Sequence, residues 1–303
     1  MNPRLTIHPE VEEALQVGKP VVALESTLIT HGLPVPDNIK VAQAMEAAVR
    51  ENGAIPATIA ILNGQITVGL TADQLEYLSS AKNARKCSRR DFPIVVARKE
   101  DGGTTVAGTM LVAHWAGIRV FATGGIGGVH RGHPFDISAD LVELGRTPIT
   151  VVCAGAKAFL DIPLTLETLE TQGVPVVGYQ TDSLPTFYSR SSELPVDVRL
   201  DSAQEIAELI TARDQLNMRM GILITNPVPV EDEWPQAEAQ KVIEKALGEA
   251  DAAQISGKEA TPYMLDRINE LSHEQSKRAN IALLINNSRL GGEVAKALSQ
   301  QSS

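Results

Sequence analysis

Ile118-Arg-Val-Phe-Ala-Thr-Gly-Gly-Ile-Gly-Gly-Val-His-Arg-Gly132 sets a short apolar run directly before a glycine-dense loop. The run 118–122 reads as a buried strand and the rest as the loop at its C-terminal end. Glycine costs folding entropy, so crowding it this densely means that backbone must pass close to something. Open α/β sheets bind their ligands at the carboxyl ends of strands. Phe135-Asp-Ile-Ser-Ala-Asp140 follows at once and adds two carboxylates four residues apart. The segment reads as the active-site loop of an α/β protein.

Working outward, further strands are expected at 20–24, 58–62, 65–69, 93–97, 148–153, 175–179 and 221–225. Asn63-Gly64 is a type I′ hairpin signal between two of them. A helix is expected over 38–52, capped by Asp37 and stopped by Gly53. Others are expected over 104–115 and near 139–145, 164–172, 202–215, 233–250 and 261–271. The tail over 276–299 also reads as helical, with a break expected near Gly291-Gly292. No repeat, low-complexity tract or linker interrupts the alternation. It predicts one domain over 1–303, an α/β/α sandwich with a central mixed sheet and a helical C-terminal third.

Composition narrows the function. A formal charge of −10 argues against general nucleic-acid binding, which requires a basic face. No apolar run reaches transmembrane length, and the first residues lack a secretory pattern, so no membrane partner is expected. Cys87 and Cys153 form neither a CxxC nor a zinc spacing and suit a reducing compartment. Few aromatics and many Ala, Val, Ile and Leu fit helices covering a parallel sheet. A cytoplasmic protein is expected.

Several residues carry candidate chemistry. Glu25 follows the strand at 20–24, and a carboxyl desolvated at a strand end can serve as a general acid. It can equally be a loop carboxylate that caps a helix or pairs a base. Lys82, Arg85, Lys86, Arg89 and Arg90 could hold a phosphate, or form a solvated helix face paired with Asp91 and nearby acids. Gly102-Gly103-Thr104-Thr105, read as opening a helix, is a second candidate anion site. Gly125-x-Gly127 is followed by His130 rather than a third glycine, and no G-x-x-x-x-G-K-[ST] occurs, so nicotinamide and ATP readings are poor. Asp136 and Asp140 fall where a helix is expected to begin and suit Mg²⁺ or Mn²⁺, with Ser138 between them able to donate to an anion. Asp136 can instead be an N-cap with Asp140 in the first turn, where the helix dipole favours acids. Lys157 follows the strand at 148–153 among Ala, Gly and Val. Poor solvation there would favour the neutral, nucleophilic amine, although most lysines after a strand are merely solvated.

Taken together the segments resemble the pseudouridine-5′-phosphate glycosidase family, also called indigoidine synthase A-like. The matching runs are Val22-Ala-Leu-Glu-Ser-Thr27, Pro56-Ala-Thr-Ile-Ala60, Ser88-Arg-Arg-Asp91 and Thr104-Thr-Val106. They continue through Ala122–Gly132, Asp136–Asp140 and Val151-Val-Cys-Ala-Gly-Ala-Lys157. Gly178-Tyr-Gln-Thr181, Asn226-Pro227 and Gly257-Lys-Glu-Ala-Thr-Pro262 complete the set, which spans roughly 6–299.

The resemblance implies reversible cleavage of pseudouridine 5′-phosphate by water to uracil and ribose 5-phosphate, with a divalent metal, typically Mn²⁺ and otherwise Mg²⁺. By position Glu25 matches the family's proton donor and Lys157 its covalent nucleophile. Lys86 and Val106 match phosphate or substrate contacts, Asp136 the metal ligand, and Ser138, Ala139 and Asp140 further substrate contacts. His130 and Asn280 fall where the family lines its site. The resemblance also implies a homotrimer. One departure is the short His133-Pro134 link before Phe135, where Pro134 restricts His133 to extended backbone and is expected to shift His130 or the metal's surroundings.

Residue chemistry runs the same way. Ordinary glycosidases protonate a leaving oxygen, and a C-glycoside has none. An amine that adds to the ring-opened sugar, with one acid to protonate the base carbon, suffices. An N-ribosyl hydrolase or phosphorylase acting on another nucleoside phosphate would need no Lys157 adduct. A phosphosugar-binding regulator would need neither Glu25 nor Lys157.

Overall fold

Seven parallel strands form the centre of the sheet: β1 (Val21–Leu24), β2 (Ile55–Leu62), β3 (Val120–Ala122), β4 (Thr150–Cys153), β5 (Val176–Tyr179), β6 (Val198–Leu200) and β7 (Ile222–Thr225). Their spatial order is β2-β1-β3-β4-β7-β5-β6. They come from a computed structural model that describes residues 5–255, 257 and 260–301. β1, β3 and β4 are buried from end to end, as expected of aliphatic strands covered on both faces. Gln65–Val68 adds antiparallel to β2 through Asn63-Gly64, both at positive φ as a type I′ turn requires. Gly102–Thr104 also pairs antiparallel with β2, so the sheet is mixed as expected.

The chain leaves β1 for β2 on one side and returns to β3 on the other. That reversal is the topological switch point, where the loops after β1 and β3 diverge and leave a crevice. The helix Gln275–Gln301 packs against β1, β3 and β4, and against the helices Asp37–Glu51 and Ala203–Gln215. Among the described residues no helix is long and apolar enough to cross a membrane.

Four local expectations are corrected. Residues 93–97 lie in a helix, Phe92–Arg98, not a strand. Ser88 and Asp91 cap each other in the preceding 3₁₀ turn, Pro93 sits in the first helical turn, and Phe92 packs edge-on against Trp115. These outweigh the strand preference of Ile94-Val95-Val96. The helix expected over 104–115 begins at Val106 with Thr105 as its cap, and Gly102–Thr104 is a strand, so the glycine pair opens no helix. Asp37 is the first residue of its helix rather than a cap, its carboxylate pairing with Lys277 at 2.9 Å. The C-terminal helix runs unbroken through Gly291-Gly292. A Cβ at Gly291 would stand 3.1 Å from Ala122, so the missing side chain lets the helix lie close on the sheet.

Candidate active site

Glu25 stands immediately after β1, Thr123 immediately after β3, and Lys157 four residues beyond β4. The ladder between β3 and β4 continues into their loops. Ala154 N–H donates to Gly124 O at 2.9 Å, Ile126 N–H to Gly155 O at 3.1 Å, and Lys157 N–H to Ile126 O at 3.1 Å. The glycine loop is therefore spliced onto the segment that carries Lys157. A Cβ at Gly125 would meet the Phe187 ring at 2.6 Å and Gly155 O at 2.9 Å, which explains a glycine there. The Lys157 amine itself donates to Gly125 O at 2.8 Å.

On the other side of the crevice, Ser26 and Thr27 anchor the end of β1. Ser26 Oγ donates to Ile59 O at 2.6 Å and accepts from Thr104 N–H at 2.9 Å, while Thr27 Oγ1 donates to Thr104 O at 2.5 Å. A single π-helical turn, Leu28–Gly32, follows and carries His31 to the rim.

These loops enclose a cleft of about 640 Å³. Glu25, Lys86, Val106, His130, Asp136, Ser138, Ala139, Asp140, Lys157 and Asn280 all line it, so every residue matched to the family's site falls in one place, whereas Lys82, Arg85 and Gly102–Thr104 do not line it. Burial pushes the Glu25 carboxyl above its ordinary value, against the pull of Lys157, of the Thr123 hydroxyl that donates to it, and of Lys86, while Asp140 adds a further upward push. Burial pushes His130 below the usual imidazole range, with Asp136 opposing and His133 and Lys86 assisting.

Asp136 and Asp140 do not share a helix. Val129–His130 and His133–Ile137 form a hairpin about Arg131-Gly132, and Asp136 lies in its second strand, which Pro134 helps to keep extended. Ser138 caps the helix Ala139–Leu144, its hydroxyl accepting from Asp140 N–H at 3.2 Å. Asp140 accepts from Ala107 N–H at 2.9 Å on one oxygen and from Gly127 N–H at 2.8 Å on the other, so both oxygens are engaged and together tie the glycine loop to the start of the Val106–Ala116 helix. For a metal this leaves Asp136, with His130 beside it. Among the described residues no group of three or more His, Cys, Asp or Glu could hold an ion. Such a donor set fits a hard cation that keeps most of its waters, as Mg²⁺ and Mn²⁺ do in many phosphate-handling sites.

The basic cluster divides. Arg85 pairs with Glu100 at 2.7 Å, away from the cleft, whereas Lys86, Arg89 and Arg90 line it. Arg89 holds Glu143 in a bidentate pair of 2.9 and 2.5 Å, and Arg146 reaches the same carboxylate at 3.0 Å. Glu143 went unnoticed in the sequence because Arg89 lies 54 positions away; only Arg146, three residues on, gives a local sign. Thr123 and Asn287 also escaped notice. The Asn287 amide donates to Thr123 O at 2.8 Å and accepts from Asn226 at 3.1 Å, from a helix with no motif of its own. In the run 257–262, Lys258 and Glu259 lie outside the described residues, while Gly257, Thr261 and Pro262 line the cleft.

A parallel-centred α/β fold that sets an acid and an amine in one cleft at its switch point has the form of an α/β enzyme. The chain belongs to the family described as Indigoidine synthase A like protein, whose model matches residues 10–297. It is 54% identical over 301 residues to the pseudouridine-5′-phosphate glycosidase of Geobacillus kaustophilus, covering 99% of this chain and 100% of that protein. Identity to the enzyme of the same name from Dinoroseobacter shibae is 55% over 294 residues, 96% of either chain. Among solved structures it is similar to the prealnumycin C-glycosynthase AlnA in complex with ribulose 5-phosphate, with a TM-score of 0.91, 40% identity and 99% of each chain covered. An indigoidine synthase A-like protein from Thermotoga maritima gives a TM-score of 0.90 at 34% identity, covering 99% of this chain and 98% of that one.

Proposed function

We infer that the chain is an enzyme that reversibly cleaves the C–C glycosidic bond of pseudouridine 5′-phosphate, giving uracil and ribose 5-phosphate. The observation that carries this reading is the meeting, in one cleft, of the desolvated Glu25 carboxyl and the Lys157 amine. Relatives about half identical over nearly their whole length bear the name of that activity. AlnA, whose structure is in complex with ribulose 5-phosphate, supports a sugar phosphate as the ligand.

The chemistry follows from what a C-glycoside lacks. Transfer of the uracil N1 proton away, with a proton supplied to O4′, breaks the C1′–O4′ bond and leaves C1′ conjugated with the ring. The Lys157 nitrogen bonds to C1′ through its lone pair, the electrons return to N1, and the proton that the nitrogen then sheds passes to N1, leaving a secondary amine on C1′. Glu25 then delivers its proton to uracil C5 while the C1′–C5 pair moves to that carbon, so the C–C bond breaks. The nitrogen lone pair of Lys157 closes on C1′ as an iminium and uracil is free. Water adds to the iminium, and loss of the amine releases ribose 5-phosphate. Raised acidity thresholds suit a carboxylic acid that must arrive protonated near neutral pH, and burial of Glu25 has that effect.

The phosphate is assigned to the Lys86 and Arg90 side of the cleft and to the Thr105-capped start of the Val106–Ala116 helix, where Val106 stands. Asp136 would hold a hydrated Mn²⁺ or Mg²⁺ ion. Such an ion would add positive charge for the substrate's oxygens. The homotrimer belongs to the same proposal, and light scattering at three times the chain mass is its check.

The test is turnover of pseudouridine 5′-phosphate with Mn²⁺, following uracil by chromatography, and synthesis from uracil and ribose 5-phosphate. Both reactions are expected. Cleavage of uridine 5′-phosphate with none of its C-linked isomer would overturn the reading in favour of an N-ribosyl hydrolase.

A further inference from the structure

We propose that Thr123 is the positioning residue of the acid, its hydroxyl fixing the transferable proton on Glu25 Oε2. This rests on the reaction proposed above. Thr123 is fully buried, and its hydroxyl donates to Glu25 Oε1. Among the described residues that oxygen is the only acceptor the hydroxyl has, so the O–H is committed to it. The carbonyl oxygen of a carboxylic acid is its better acceptor, so a hydrogen bond received at Oε1 favours the proton on the other oxygen. Glu25 Oε2 has no protein partner among the described residues, and Glu25 lines the cleft, so Oε2 is the oxygen left to meet the substrate.

The backbone that carries the hydroxyl is itself held in place. Asn287, fully buried on the Gln275–Gln301 helix, donates to Thr123 O at 2.8 Å, and its side-chain oxygen accepts from buried Asn226 just after β7 at 3.1 Å. Thr123 N–H donates to Val152 O of β4 at 3.0 Å. The backbone of Thr123 is thus pinned from the C-terminal helix and from β4, and rotation of the Glu25 carboxyl would forfeit the one side-chain hydrogen bond it has among the described residues. Dead-end rotamers that aim the proton away from the base are excluded in this way.

The charged groups facing Glu25 are Lys157 after β4, Lys86 on the strand Arg85–Cys87, and Asp140 on the Ala139–Leu144 helix. Lys157, Lys86 and the Thr123 hydroxyl favour the ionised carboxyl, whereas burial and Asp140 oppose it. Removing the hydroxyl therefore raises the pH at which the acid is lost. It also frees the carboxyl to turn.

Thr123→Val keeps the shape and deletes the O–H, and Thr123→Ser restores it. For turnover of pseudouridine 5′-phosphate, Thr123→Val should lower kcat about tenfold or more with KM within about twofold, and move the alkaline limb of kcat to higher pH. Thr123→Ser should recover most of kcat and return the limb to its place, which also answers any misfolding of the valine variant. A valine variant with unchanged kcat and limb, in an enzyme that turns over, would overturn this role and leave the reaction standing. A serine variant as impaired as the valine one would overturn it too. A wild-type protein that releases no uracil would overturn the reaction and this role together.

Discussion

The Lys157 amine donates a 2.8 Å hydrogen bond to the carbonyl of Gly125, a residue on the loop of the neighbouring strand. The amine that the proposed reaction needs is thus aimed by backbone from β3, although its own chain comes from β4.

That splice makes Gly125 intolerant of a side chain. In Gly125→Ala the new Cβ would meet the Phe187 ring at 2.6 Å and Gly155 O at 2.9 Å, so the loop or the Lys157 segment must move. Misplacement of about 1 Å costs roughly a hundredfold in rate. A loss of kcat of that order, with a folded protein by circular dichroism, is the expected outcome.

Glu25 is the group whose protonation should limit activity at high pH. Its carboxyl is held above the ordinary value by burial, and as an acid it works only while protonated. Activity through it is full below its folded pKa and falls as pH rises through that value. Glu25→Gln should lower kcat by about 10²–10⁴ and remove the alkaline limb. A pH series of kcat for the two proteins checks this.

Glu143 is buried, yet Arg89, Thr147 and Arg146 donate to it. Burial pushes its carboxyl up, but these donors together outweigh burial and hold it below the ordinary carboxylate range. A lowered folded value means stability present above the unfolded value and lost as pH falls through the folded one. Acid destabilisation from this group should therefore set in near the ordinary carboxylate value, about pH 4, and deepen as pH falls further. Glu143→Ala removes the shared partner of Arg89 and Arg146, but both guanidinium groups reach solvent and stay hydrated, so the cost should be about 1–2 kcal/mol in urea unfolding at pH 7.

Asp136 offers the one carboxylate assigned to the metal. Chelation should lower turnover and Mn²⁺ should restore it. Asp136→Asn should raise the Mn²⁺ concentration needed for half activation about tenfold or more, measured by metal titration of both activity and binding.

The alternation of aliphatic strands and helices was readable because β1, β3 and β4 are buried on both faces and carry no polar residue to blur them, save Thr150 and Cys153 at the ends of β4. Glu25 and Lys157 were readable for a related reason: each breaks an apolar run at a strand end. Residues 93–97 misled because Ile94-Val95-Val96 has the residue types of a buried strand although the helix buries only Val95 of the three, and the cap that decides between helix and strand lies upstream at Ser88 and Asp91. Gly291-Gly292 misled because a glycine pair marks a break when exposed and close packing when buried. Thr123, Asn287 and Glu143 act through partners tens to more than a hundred positions away, a distance at which no local pattern carries a signal.

The most direct test of the account is borohydride trapping of the purified protein with ribose 5-phosphate, followed by peptide mass spectrometry. Reduction of an iminium would leave a ribose-phosphate adduct on the peptide containing Lys157, absent from Lys157→Ala, and this is the predicted result. An adduct on another lysine, or no adduct with turnover retained in Lys157→Ala, would contradict the lysine route.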